Sequence, residues 1–119
     1  MRERRRDPRI KEENKVILTL LGEGEERNSG ESFYSLTKDI SVGGIRIMTD
    51  APLTVGGRVA LEITLAKSRL RVRAVARVRW VKELFGKEVY ETGLEFEDLD
   101  PATEMALIDH VYGKAAPKR

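Results

Sequence analysis

Two short stretches of the sequence carry side chains suited to holding an anion. In RRRDPRI (residues 4 to 10), Arg4, Arg5, Arg6 and Arg9 crowd the N-terminus of a chain that is otherwise nearly charge-balanced, with 22 Lys and Arg against 20 Asp and Glu. A guanidinium presents its donors in a planar fork that fits a phosphate and can stack on a ring face, whereas a lysine supplies only the charge. In DISVGG (residues 39 to 44), Asp39 and Ser41 stand two apart and so point to the same side of an extended segment. Gly43 and Gly44 follow as a pair that lets a ligand come close to the backbone. Each stretch also has a plainer reading. A basic terminus serves as a solvated tail, and DISVGG as a hairpin turn capped by its own Asp and Ser side chains.

Other chemistries lack their residues. There is no cysteine, hence no disulfide, thiolate nucleophile or zinc-thiolate site. The single histidine, His110, falls in a terminal helix without a serine partner and reads as a surface or packing residue. No phosphate-binding P-loop, dinucleotide fingerprint or metal-spaced cluster occurs, so no catalytic site, metal or cofactor is expected. A net charge of +2 is too small for a general nucleic-acid coat, and neither DNA nor RNA is expected as a partner. No apolar run approaches the roughly 18 residues of a membrane span, and no apolar segment follows the basic N-terminus as in an export signal. A cytoplasmic protein without membrane insertion is the expectation.

The elements that must position the two stretches are short strands. At 119 residues the chain suits one domain, divided into a flexible arginine-rich arm over 1–12, a barrel with its helix over 13–113, and a tail over 114–119. Period-two alternation predicts strands at 15–21, 32–40, 45–49 and 58–66, with a polar loop at 22–30 and turns at 41–44 and 51–57. A longer strand follows in RLRVRAVARVRWV (69 to 81), with Leu70, Val72, Ala74, Ala76, Val78 and Trp80 on one face and arginines on the other. Its hairpin partner, 88 to 97, sets Arg77 across from Glu95, which explains the arginine stripe without a nucleic acid. DPATEMALIDHVYG predicts a helix with Asp100 as its N-cap, a stop at Gly113, and Met105, Ile108 and Tyr112 on the stripe that covers the barrel. The fold class is all-β with a C-terminal helix, a six-stranded antiparallel β-barrel whose closure removes exposed edges.

Taken in order, these residues resemble the PilZ family of bacterial receptor domains for cyclic di-GMP. The family's signature is R-x-x-x-R followed by D-x-S-x-x-G. Arg5 and Arg9 match the first element, although Arg2 with Arg6 offers a second frame, and Asp39, Ser41 and Gly44 match the second. GGRVALEIT (56 to 64), VRW (78 to 80) and TGLEFEDL (92 to 99) also resemble the family's later strands. The resemblance implies a ligand site of Arg4, Arg5, Arg6, Arg9, Asp39, Ser41, Gly43 and Gly44. The arginines would take phosphates and guanine O6 and N7, Asp39 the guanine N1 and N2 donors, and Ser41 a phosphate or an exocyclic amine. In the family an extra arginine before the motif is associated with a stacked ligand dimer.

The implied function is a non-catalytic receptor that refolds its N-terminal arm on binding. With only four residues before Arg5, the signal is expected to pass to a separate effector protein. The alternatives are a PilZ-like protein-interaction module that binds no nucleotide and, third, an RNA-binding barrel. A charged fraction of 35% in facing Arg and Glu strands also predicts a melting temperature above the mesophile range.

Overall fold

The computed structural model describes residues 9–21, 28–84, 86 and 88–115. Its strands are β1 (Ile10–Lys11), β2 (Lys15–Leu21), β3 (Asn28–Ile40), β4 (Gly44–Thr49), β5 (Arg58–Thr64), β6 (Arg71–Leu84) and β7 (Val89–Glu97), and the helix α1 spans Pro101–Ala115. Every ladder is antiparallel, and the order β3-β2-β5-β6-β7-β4 closes when β4 pairs back onto β3. The result is the six-stranded antiparallel barrel expected, with the two-residue β1 added at the far end of β3, Ile10 facing Ile40 and Lys11 facing Asp39.

Alternation holds over most of the wall. Val16, Leu18, Ile45, Ile47, Val59, Leu61, Ile63, Val72, Ala76 and Val78 turn inward and are buried. Burying such side chains stabilises by about 1.5–3 kcal/mol each before the entropy of ordering the chain is set against it. Several boundaries differ from expectation. β3 begins at Asn28, so the predicted 22–30 loop is shorter, β5 stops at Thr64, and α1 runs through Gly113 to Ala115. Residues 116–119 of the expected tail lie outside the described residues.

Among the described residues the register shifts in three places: between Thr19 and Leu21 in the β2–β3 pairing, and at two β-bulges on β3 and β6 that turn side chains across the wall. On β3 the pairing with β4 shifts between Thr37 and Asp39, so Lys38 is the extra residue. Thr37 therefore faces in toward Ile47, while Asp39 turns outward beside Arg46. On β6 the pairing with β7 shifts between Val78 and Trp80. Trp80, expected on the inward face, instead lies outside over Gly93 and is 40% exposed. Leu70, placed on the same face, precedes β6 and is also exposed.

The helix caps the barrel, but with a different stripe from the one expected. Leu107 and Val111 are fully buried, whereas Met105 and Tyr112 are exposed. His110 Nε2 also lies 2.6 Å from Glu12 Oε1, both side chains nearly enclosed. At the N-terminus Asp100 Oδ1 accepts from the Thr103 N–H at 2.9 Å, as a cap should. That backbone bond holds the Asp100 carboxyl below its ordinary value.

Of the arm expected over 1–12, residues 1–8 lie outside the described residues, while Ile10–Lys11 is paired with β3 and the residues after it are tied down. Buried Asn14 accepts from the Ala66 N–H at 2.7 Å and donates to Glu12 Oε1 at 3.1 Å and Thr37 Oγ1 at 3.3 Å. These bonds satisfy a polar side chain that burial would otherwise penalise. They also fix the direction from which residue 9 reaches the barrel.

Candidate ligand-binding site

Arg9 stands one residue before β1, and the pairing of β1 with the end of β3 brings it onto DISVGG. Its Nη1 donates to Asp39 Oδ1 at 2.5 Å and its Nη2 to Ser41 Oγ at 3.3 Å. Asp39 and Ser41 thus share one side, as their spacing predicted, and a single guanidinium spans both. Of the eight residues expected at the site, the structure gathers Arg9, Asp39, Ser41, Gly43 and Gly44. Arg4, Arg5 and Arg6 lie outside the described residues.

The turn between β3 and β4 is ordered by Ser41. Its N–H donates to the Gly44 carbonyl at 2.9 Å, and its Oγ accepts from the N–H groups of Gly43 at 3.2 Å and Gly44 at 3.3 Å. Gly44 is required for a reason that the sequence did not reveal. A Cβ there would meet the Leu94 carbonyl oxygen at 2.1 Å, so β7 rather than a ligand forbids a side chain. At Gly43 a Cβ would meet only Ser41 Oγ at 3.9 Å, leaving the backbone open to approach.

Sequence reasoning missed half of the site. Arg46 donates through Nη2 to Asp39 Oδ2 at 2.5 Å and through Nη1 to Glu91 Oε2 at 3.1 Å. Asp39, 2% exposed at its side chain, is therefore covered by two guanidiniums, and this compensates the cost of burying a carboxylate. Register then extends the row outward, with Asp39 opposite Arg46, Arg46 opposite Gly93, and Gly93 opposite Trp80. A Cβ at Gly93 would fall 2.3 Å from the indole ring, so only glycine lets the ring lie there. Arg79, on the bulge beside Trp80, bonds Glu95 at 2.5 Å. The glycine pair and D-x-S were legible. Arg46, Glu91 and Trp80 were not, because each depends on where a bulge falls.

Together Arg9, Ser41, Gly43, Gly44, Arg46, Arg79, Trp80 and Gly93 line a cleft of about 520 Å³. Glu95 lines it too, paired with Arg79, and the rest suits an anion bearing flat rings, with guanidinium forks, a bare backbone and one aromatic face. Arg46 Nε is buried without a hydrogen-bond partner among the described residues. A larger concavity of about 810 Å³, lined by Phe33, Tyr34, Leu36, Met48 and Leu53, lies over β3 and β4. It is mainly apolar and lacks the converging guanidiniums, so the smaller cleft is the better candidate. Among the described residues no cluster of metal-ligating side chains occurs, and no helix is long and apolar enough to cross a membrane.

Comparison with known proteins adds three findings. A family model described as PilZ domain matches residues 3–113. None of the curated proteins matches. Among solved structures, Bacillus subtilis inhibitor of motility (MotI/DgrA) superposes with a TM-score of 0.79 at 21% identity, over 98% of this chain and 54% of that one. The Escherichia coli YcgR PilZ domain with c-di-GMP gives 0.71 at 21% identity, over 93% and 91% of the two chains. The K. pneumonia MrkH-c-di-GMP complex gives 0.66 at 21%, over 95% and 52%. The chain thus spans about half the length of MotI/DgrA and MrkH.

Proposed function

Because the chain belongs to the PilZ domain family, we propose that it is a non-catalytic receptor for cyclic di-GMP, which it binds in the cleft between the Arg9 segment and the Ser41–Gly44 turn. The observation that carries this reading is the convergence of Arg9, from before the barrel, on Asp39 and Ser41 some thirty residues away. The bound c-di-GMP of the YcgR PilZ domain and of MrkH supports the choice of ligand.

In this reading Arg9, with Arg4, Arg5 and Arg6 of the same segment, takes phosphate and guanine O6 and N7, and Ser41 and the Gly43 backbone lie alongside the sugar-phosphate ring. Asp39 accepts from the guanine N1 and N2 donors, and Trp80 offers its face to a base. Each charge-assisted bond contributes about 1.5–3 kcal/mol, against about 1–2 kcal/mol for each backbone residue ordered on binding. The balance favours moderate, switchable affinity. The arginine segment changes its conformation as the ligand takes over its guanidiniums, and a separate partner protein in the cytoplasm reads that change.

Titration calorimetry tests this directly. Saturable binding of cyclic di-GMP at micromolar concentration or tighter, with GMP silent, is the expected result, and absence of heat with cyclic di-GMP removes the receptor reading. The alternative, an interaction module that binds no nucleotide, is favoured by the exposed Tyr34 and Leu36 beside the larger apolar concavity. It would become the first choice on that outcome.

A further inference from the structure

The two guanidiniums on Asp39 are held in different ways. Arg9 is 45% exposed, precedes a two-residue strand, and has Ser41 as its only other hydrogen-bond partner among the described residues. Arg46 projects from the middle of β4, and behind it stands Glu91, itself 7% exposed, on the neighbouring strand β7. The chain of contacts runs Glu91 Oε2, Arg46 Nη1, Arg46 Nη2, Asp39 Oδ2, entirely between barrel strands whose register is fixed. A base edge can reach the buried Asp39 carboxylate only where one guanidinium withdraws. Arg9 can do so without disturbing the barrel, and Arg46 cannot.

We propose that Arg46 and Glu91 are positioning residues for Asp39: Glu91 braces Arg46, and Arg46 pins Oδ2 so that Oδ1, vacated by Arg9, faces the Watson–Crick edge of a guanine. This rests on the receptor reading above and deepens it, because selection of guanine is then set by the bracing pair as well as by Asp39. A carboxylate free to swivel would still attract donors, but it would not hold Oδ1 fixed against the adjacent N1–H and N2–H donors. The guanine 2-amino group is therefore the atom whose recognition depends on Arg46 and Glu91.

The test compares cyclic di-GMP with cyclic di-IMP, which differs only in lacking that amino group, by calorimetric titration of the wild-type chain, Glu91→Gln and Arg46→Lys. Wild type should prefer cyclic di-GMP by about tenfold or more, the value of at least one charge-assisted hydrogen bond. Glu91→Gln should weaken cyclic di-GMP by about tenfold while hardly changing cyclic di-IMP, so that the preference largely disappears. Arg46→Lys, which keeps the charge but loses the fork, should do the same and serves if Glu91→Gln does not fold. A merely structural role would weaken both ligands equally, and an unchanged preference in a folded variant overturns the bracing role while leaving the receptor reading intact. Failure of wild type to bind cyclic di-GMP overturns both.

Discussion

The barrel carries two sets of arginine–carboxylate pairs, and they are built to different rules. On the outer face of β5, β6 and β7, Arg58 and Arg77 share Glu97, Arg71 and Arg73 approach Glu62, and Arg79 meets Glu95, all on surfaces open to water. At the β3–β4 turn, Asp39 lies buried under Arg9 and Arg46, and Arg46 is held in turn by Glu91. Exposed pairs are screened and each contributes about 0–1 kcal/mol. A buried carboxylate has no such latitude, since removing one partner leaves an uncompensated charge. The stripe can thus lose members at little cost, whereas the Asp39 carboxylate depends on its guanidinium partners to remain buried.

That contrast can be broken most forcefully at Asp39. Asp39→Ala should lower stability by roughly 2 kcal/mol, less than for a fully buried pair because both guanidiniums keep some contact with water, and should abolish measurable cyclic di-GMP binding. Thermal unfolding together with calorimetry reads both effects. Arg9→Ala should separate them. Affinity should fall about tenfold or more, while stability falls by less than about 1 kcal/mol, since Arg46 still compensates Asp39 and the Arg9 side chain is 45% exposed.

A pH series probes both regions at once. The hydrogen bond from Arg77, with Arg58 behind it, holds the Glu97 carboxyl below its ordinary value of 4.5, and the Thr103 backbone bond holds Asp100 below 3.8. Groups lowered in the folded state stabilise it fully above their unfolded values and cease to do so as pH falls through the folded ones. Melting temperature should therefore decline in acid from about pH 4.5 downward, and Glu97→Gln should flatten part of that decline. A profile unchanged by that substitution would remove Glu97 from the account.

The smallest effect is expected from the stripe itself. Arg71 and Arg73 both approach one glutamate, at 3.5 and 3.7 Å. Replacing both by alanine should shift stability by no more than about 0.5 kcal/mol and leave cyclic di-GMP affinity unchanged. A large loss of affinity in that variant would make the stripe, and not the turn, the ligand surface.

The barrel was legible because its evidence is local: period two in the strands, glycine in the turns, and an Asp-Pro helix start. The pairing of Arg77 with Glu95 was also legible as register, and the two residues are directly opposite. Their ion pairs are nevertheless diagonal, Arg77 to Glu97 at 2.7 Å and Arg79 to Glu95, because a long guanidinium reaches past its own partner on a twisted sheet. What alternation could not reveal was the bulges at Lys38 and Arg79, each of which turns a side chain through the wall. Asp39 comes to face Arg46 through the first, and Trp80 comes to lie over Gly93 through the second. Arg46 sits two residues beyond Gly44 on the same outward parity, a signal that could have been read had the first bulge been anticipated.

The claim that the turn, and not the stripe, binds the dinucleotide is tested most directly by following assigned NMR resonances of the chain during addition of cyclic di-GMP. The expected result is saturable shifts in the Gly43 and Gly44 amides, the Arg9 and Arg46 guanidinium groups and the Trp80 indole N–H, with Arg71 and Arg73 unmoved. Shifts confined to Arg71, Arg73 and Glu62, or no shifts at ligand excess, would contradict it.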